Sequence, residues 1–377
     1  MFGKRILLFK LLGFAVHIDL SWLIIAVLIT WSLAVGLFPF MYEGLSAPTY
    51  WLMGIAGAAG LFLSIVFHEL FHSLVARRFG LPMTGITLFI FGGVAEMDDE
   101  PPSPKAEFYM AVVGPLSSAA LSFALLAVYT AGRGVLPVAV SGVLNYLALL
   151  NLILAGFNLL PAFPLDGGRV LRSILWQWKK NLRWATRIAS AIGSGFGLLL
   201  IFIGLLSLMT GNFIGGVWQA MIGLFLRSAA QASYRQVVVR KALEGETVKR
   251  FMNKEPVTVP PSLTINSLVN DYIYQYHYKM FPVIESGKLL GCITTRQVKD
   301  VPREEWDSRS VGDVAVRCAA ENAVGSELDA LKALSLMNRT GNSRLMVVDN
   351  DRLVGIISLK DIMGFLSVRL ELDGTEE

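Results

Sequence analysis

Charge is what this 377-residue sequence has least of. Asp, Glu, Lys and Arg fill 16% of positions, against about 25% in an ordinary soluble protein. Apolar residues rise to 54% and mean hydropathy to +0.55, which excludes a purely soluble protein. No basic block exists, so nucleic acid is excluded as a partner. Cysteine is nearly absent: Cys292 and Cys318, without Cys-x-x-Cys spacing, give no disulfide framework and no cysteine metal site, and read as ordinary buried thiols. Histidine is also scarce, with four in the chain. His17 reads as a membrane-surface residue and His277, in the aromatic stretch 272–278, as packing. His68 and His72 remain.

The little charge present is unevenly spread. Residues 1–230 hold 14 Lys/Arg and 9 Asp/Glu, and 231–377 hold 19 and 20, so an apolar two-thirds precedes a normally charged third. Uncharged runs at 20–42, 45–67, 108–132 and 134–165 each exceed the ~20 residues that span a bilayer core. A fifth run, 188–226, has 39 residues, about 58 Å of helix, and Thr210-Gly211-Asn212 divides it, which predicts six spans. Residues 1–19 read as retained sequence, without a small-residue cleavage site. With the N-terminus inside, twelve basic residues fall on the inner side and only Arg133 on the outer, which predicts a cell-membrane protein with its N-terminus and polar third in the cytoplasm. Residues 82–97 place β-formers on both sides of Gly92-Gly93 and predict a membrane-associated β-hairpin or re-entrant strand. The acidic run Asp98, Asp99 and Glu100 reads as a solvated loop.

Chemistry enters in the second span. Ile65-Val66-Phe67-His68-Glu69-Leu70-Phe71-His72 contains H-E-x-x-H on a segment that must be helical in lipid. The i, i+4 spacing puts both imidazoles on one face, able to share a Zn²⁺, and sets Glu69 beside them as a general base. Ionisable groups within a span are costly and mark functional sites. A tetrahedral site needs another ligand, and Asp166 is the best intramembrane carboxylate remaining. It follows Asn158-Leu-Leu-Pro161-Ala-Phe-Pro164-Leu, where prolines and glycines break the fourth span. Asn158 either donates to a developing oxyanion or bonds a neighbouring helix, and Arg169 either snorkels or pairs with a carboxylate.

The polar third contains a repeat. Residues 281–298 align without gaps onto 345–362, and Thr247-Val248 aligns with Ser310-Val311, giving two units of about 60 residues. The shared pattern is strand, turn, strand, Gly, then a hydroxyl residue opening a helix. It resembles a tandem pair of CBS domains over 247–370. The resemblance implies an adenine nucleotide, ATP or AMP, as a regulatory ligand, held through Gly-x-x-Ser/Thr-x-x-Asp. The second unit matches with Gly355, Ser358 and Asp361, while the first has Thr294 but Gln297 in the ribose position. A homodimer through the pair, or a purely structural role, belongs to the same expectation.

Residues 1–230 resemble the site-2 protease family of intramembrane zinc metalloproteases, on H-E-x-x-H in span two, Phe91-Gly92-Gly93 before span three, and N-x-x-P followed by L-D-G. The resemblance implies one zinc per chain on His68, His72 and Asp166, Glu69 as base, Asn158 near the substrate or oxyanion, and Gly92-Gly93 on the substrate side. Strand 85–97 would then hold an unwound single-span substrate by β-augmentation. A PDZ-like insertion is lacking. The expected fold is a multi-pass α-helical membrane protein of six transmembrane helices with a membrane-associated β-hairpin (1–230), a linker (231–246), and a cytoplasmic α/β tandem CBS module (247–377, first unit 247–306, second 310–370). The competing readings are a CBS-regulated metal or ion transporter using the same His/Asp site, which has no need of Glu69, and an inert scaffold of the same fold.

Overall fold

The computed structural model describes residues 5–373 except 82, 91, 98, 99, 318, 320 and 351. The chain divides into two compact units, Met1–Val237 and Val238–Glu377. Among the described residues, six helices are long and apolar enough to cross a membrane. The first, Leu20–Met41, comprises α1 (Leu20–Trp31), a wider π-helical stretch (Ser32–Leu37) and α2 (Phe38–Met41). The other five are α3 (Ala47–Arg78), α4 (Pro104–Ala131), α5 (Val138–Asn158), α7 (Leu182–Met209) and α8 (Phe213–Leu243). Their starts are chemically marked. Ser46 and Ser103 accept backbone N–H bonds at the heads of α3 and α4, each followed by proline within the first turn, where a missing N–H costs nothing.

Two features depart from the sequence reading. The fourth span breaks in the proline segment as expected, with α5 ending at Asn158, but that segment leads into a separate amphipathic helix, α6 (Asp166–Lys179), which the sequence reading does not contain. The hairpin around Gly92-Gly93 is present as β3 (Met83–Phe89) and β4 (Gly92–Met97), but it is half of a larger sheet. The N-terminal stretch forms β1 (Arg5–Leu11) and β2 (Phe14–Asp19), and the order is β1-β2-β3-β4, with β2 and β3 parallel and the outer pairs antiparallel. Alternation along β2 explains its facing: Phe14, Val16 and Ile18 are buried. Together with Ile86 and Leu88 of β3 they pack on Val66 and Leu70 of α3, so the sheet leans on the segment of α3 that carries the H-E-x-x-H motif.

The turn at 210–212 reverses α7 into α8, with Gly211 at φ +89°. The two helices then pack backbone on backbone. A Cβ on Gly197 would lie 2.6 Å from the Gly223 carbonyl oxygen, and one on Gly204 2.6 Å from that of Gly216. Such contacts replace hydrophobic association where the surroundings are themselves apolar.

The second unit repeats one design. Strands β5 (Met280–Glu285), β6 (Lys288–Thr294) and β7 (Val316–Arg317) form one three-stranded sheet, and β8 (Ala323–Val324), β9 (Arg344–Asp349) and β10 (Arg352–Ser358) the other. The equivalent glycines Gly291 and Gly355 each sit against a carbonyl oxygen, where a Cβ would lie 2.0 Å from Val316 and 2.6 Å from Asn253. The repeated glycine is therefore a packing requirement. Residues 231–243 continue α8.

Because Gly204 faces backbone that cannot yield, Gly204→Leu should destabilise the protein by about 1–3 kcal/mol, the usual range for overpacking. Thermal unfolding in detergent is the check, and an unchanged midpoint would show that α7 and α8 separate freely.

Candidate metal centre

His68 and His72 lie one turn apart on α3 and are only 4% and 6% exposed. Asp166, 8% exposed, opens α6 and enters between them. Its Oδ2 is 3.1 Å from Nε2 of each histidine, and the two Nε2 atoms are 3.1 Å apart. Helix α4 fixes both rings from behind. His72 Nδ1 bonds the Met110 carbonyl at 2.5 Å, and His68 Nδ1 bonds Ser118 Oγ at 2.9 Å. A carbonyl only accepts, so His72 carries its proton on Nδ1 and presents a lone pair at Nε2. Ser118 Oγ can accept from the same nitrogen of His68.

The donor set fits a metal ion. Two imidazole lone pairs and a carboxylate oxygen repel one another at 3.1 Å, in a buried setting where repulsion is poorly screened, and a shared cation removes the conflict. Bonds of ~2.0–2.1 Å to zinc put tetrahedral ligand atoms about 3.4 Å apart, close to the observed spacing. Among the described residues these are the one group of three or more His, Cys, Asp and Glu side chains whose ligand atoms converge.

Sequence reasoning missed Gly114. A Cβ there would fall 2.1 Å from His72 Nε2 and 2.7 Å from His68 Nε2, filling the space between the ligands. The available signal was Gly114-Pro115 in the middle of an otherwise unbroken helical run. Gly167, Gly168 and Gly193 play an equivalent part around the bend before Asp166. Added Cβ atoms would meet the Leu159 carbonyl oxygen at 2.2 Å, Phe163 N at 2.2 Å and the Phe163 carbonyl oxygen at 1.8 Å.

Glu69 is half-buried beside His68, and its carboxylate has no hydrogen-bond partner among the described residues. Strand β4 crosses it: a Cβ on Gly93 would lie 3.0 Å from Glu69 Cγ and 2.8 Å from Ile65 Cγ2. Gly92 has φ +130°, a backbone geometry that favours glycine. Phe91 lies outside the described residues. Asn158 is not hydrogen-bonded to the three ligands; its Nδ2 donates to Leu154 O of its own helix at 3.0 Å.

Other residues fall elsewhere. His17 is on β2, away from the ligand cluster. His277 is exposed at φ +56° and lines a cleft in the second unit, contrary to its reading as packing. Glu100 is not simply solvated: its Oε2 accepts from Arg172 Nη2 at 3.1 Å, while Asp98 and Asp99 lie outside the described residues. Cys292 is buried as expected, and Cys318 lies outside the described residues.

In the second unit, Ser358 and Asp361 line an open cleft of about 800 Å³ with Lys360, Arg344, Tyr276 and His277. Asp361 Oδ2 accepts from Ser358 N at 2.9 Å and Ser358 Oγ at 2.6 Å. Thr294 repeats this arrangement with Gln297 Oε1, at 2.6 Å from its N and 2.8 Å from its Oγ1, but does not line the cleft. Ser310 caps another helix through Asp313, and its hydrogen bonds hold that carboxyl below the ordinary aspartate range.

Residues 56–138 and 133–204 match Peptidase family M50, and 248–304 and 313–368 match the CBS domain. Rip3 of Mycobacterium tuberculosis is 35% identical over 363 residues, covering 95% of this chain and 92% of that protein. Zinc metalloprotease MJ0392 of Methanocaldococcus jannaschii is 33% identical over 367 residues, covering 97% and 96%. The solved Site-2 Protease from Methanocaldococcus jannaschii shares 33% identity and covers 61% of this chain and 94% of that one, with a TM-score of 0.43.

Metal content measured on purified protein should approach one ion per chain and fall in His68→Ala, His72→Ala and Asp166→Ala. Gly114→Ala should lower it comparably, because its methyl group occupies the space between the ligands. Full occupancy in Gly114→Ala would mean that the ion sits elsewhere.

Proposed function

Because this chain belongs to peptidase family M50, the site-2 type of zinc metalloprotease, and carries a tandem CBS pair, we propose that it hydrolyses peptide bonds within or beside the membrane-spanning segments of single-span membrane proteins. The observation that carries this reading is the meeting of His68 Nε2, His72 Nε2 and Asp166 Oδ2 at 3.1 Å next to Glu69, whose carboxylate has no partner among the described residues. These three residues would hold one zinc ion, which when bound supplies Lewis acidity, activating water and polarising a carbonyl oxygen.

The remaining chemistry belongs to side chains and backbone. Glu69 accepts the proton of the attacking water and passes it to the leaving amine. A substrate helix hides its carbonyls in i to i−4 bonds, so the scissile segment must unwind before attack. The edge strand β4 offers main-chain bonds to an extended segment, and the crossing of Gly93 over Glu69 supports Gly92 and Gly93 as the side where substrate lies. Asn158 keeps a second amide N–H for the oxyanion. The protein is an integral membrane protein, and the twelve-to-one distribution of basic residues supports a cell-membrane location with the N-terminus and CBS pair in the cytoplasm.

Glu69→Gln preserves shape and both histidines, so zinc should stay bound while cleavage of a single-span substrate falls by roughly 10²–10⁴. Product mapping by mass spectrometry is the measurement. Undiminished turnover in this variant would remove Glu69 as the base and return the transporter reading.

The CBS pair is the regulatory part of the proposal. Lys360 and Arg344 suit phosphates, Tyr276 offers a face to the base, and Asp361 retains lone pairs for ribose hydroxyls. We assign ATP or AMP to this cleft and leave Thr294 to helix capping; a homodimer through the pair belongs to the same proposal. Binding of either nucleotide to the full-length protein, followed calorimetrically, should weaken in Asp361→Ala with zinc content unchanged. Bound nucleotide should change cleavage by roughly 5- to 150-fold, the usual range of coupling between sites. Identical cleavage with and without nucleotide would reduce the pair to a structural module.

A further inference from the structure

Arg172 and Glu107 form a buried ion pair that the catalytic chemistry does not use. Arg172 is 2% exposed and Glu107 0%. The guanidinium donates from Nε to Glu107 Oε1 at 2.6 Å and from Nη2 to Glu100 Oε2 at 3.1 Å, and its Nη2 also makes a close ion pair with Glu107 Oε1. Its plane lies over the Phe163 ring, with Cζ 5.1 Å from the centroid. Two polar atoms in this cluster, Arg172 Nη1 and Glu107 Oε2, are buried without partners among the described residues. A buried pair with unsatisfied atoms adds little to stability, so its value must lie in what it joins.

What it joins is specific. Glu107 lies on α4, three residues before Met110, four more before Gly114 and a further four before Ser118, so the four residues share one helical face. That face bonds His72 through Met110, bonds His68 through Ser118 and leaves the gap at Gly114. Arg172 lies on α6, six residues after Asp166, and touches Phe163, three residues before it. Asp166 is therefore bracketed by contacts of one guanidinium that is anchored to the helix orienting the other two ligands.

We propose that Arg172 is a positioning residue for Asp166: through Glu107 it ties the third ligand to α4, so that one helix sets the relative placement of all three metal-binding groups. This rests on the metal-site reading above. The fork is essential, because a lysine ammonium cannot donate side by side to Glu107, reach Glu100 and stack on Phe163 at once.

The test uses full-length protein in detergent, stripped of metal and titrated with Co²⁺ against a competing chelator while the visible spectrum is recorded. Arg172→Lys should weaken Co²⁺ binding by about 10–100-fold, the usual cost of losing an outer-shell support, and should alter the ligand-field bands. In an Asp166→Ala background the same substitution should cost nothing further, because the group it positions is gone. Melting of the metal-free variants reports folding, and Glu107→Gln, which keeps volume but removes the anchoring charge, should reproduce the result if Arg172→Lys does not fold. Wild-type affinity and spectrum in Arg172→Lys, or an equal loss in both backgrounds, would overturn the proposal. Wild-type affinity in Asp166→Ala alone would instead overturn the metal-site reading.

Discussion

Three electron-rich atoms held 3.1 Å apart inside an apolar body are the constraint around which the membrane unit is organised. Left to themselves, two imidazole lone pairs and a carboxylate would separate, and in a poorly screened interior their repulsion is large. The fold holds them by backbone contact. Met110 lends a carbonyl, and Gly114 lends the absence of a side chain. Gly167, Gly168 and Gly193 let the bend before Asp166 press directly onto main chain. A strained arrangement of this kind is supported by rigid neighbours, because a ligand set that relaxes by about 1 Å no longer matches the ion.

The sheet serves the same end from the opposite side. Its buried residues Val16, Ile18, Ile86 and Leu88 fill one flank of α3, and its outermost strand passes over Glu69. One short stretch of α3 therefore turns His68 and His72 towards α4 and towards Asp166 of α6 on one side, and meets an open strand edge on the other. Glu69 stands at the boundary between the two.

Much of this was legible in the sequence because lipid restricts what a chain can do. Charge-free runs had to be spanning helices, and polar residues inside them had to be explained, so His68, His72 and Asp166 stood out. Thr210-Gly211-Asn212 fell where the turn lies. The misses have physical reasons. Residues 14–18 alternate as a strand should, but five residues beside a long apolar run are too short a signal to separate a strand from the start of a span. Pro161 and Pro164 signal a break without specifying the element beyond it, so helix α6 goes unread in the sequence. Met110 acts through its carbonyl, which no side-chain pattern reveals. Glu107 and Arg172 are 65 residues apart, and nothing local marks them as partners. In the CBS pair the difficulty is reversed: Ser358 and Asp361 fit a nucleotide motif, yet the same spacing is what a capped helix start requires, as Thr294 and Gln297 demonstrate.

The parallel pairing of β2 with β3 sets an order of assembly. Val16 lies beside Ile86, so the sheet cannot close until α1 and α3, which separate them in the chain, have both been made and inserted. Asp166 emerges 94 residues after His72, behind two further spans. During synthesis the histidine pair is complete long before its carboxylate exists, and the His68–His72–Asp166 cluster forms only when most of the membrane unit is already in place. Pairing at such sequence separation is intrinsically slow, so a nascent chain passes through insertion as an inactive precursor, with hydrolytic competence among the last properties it acquires.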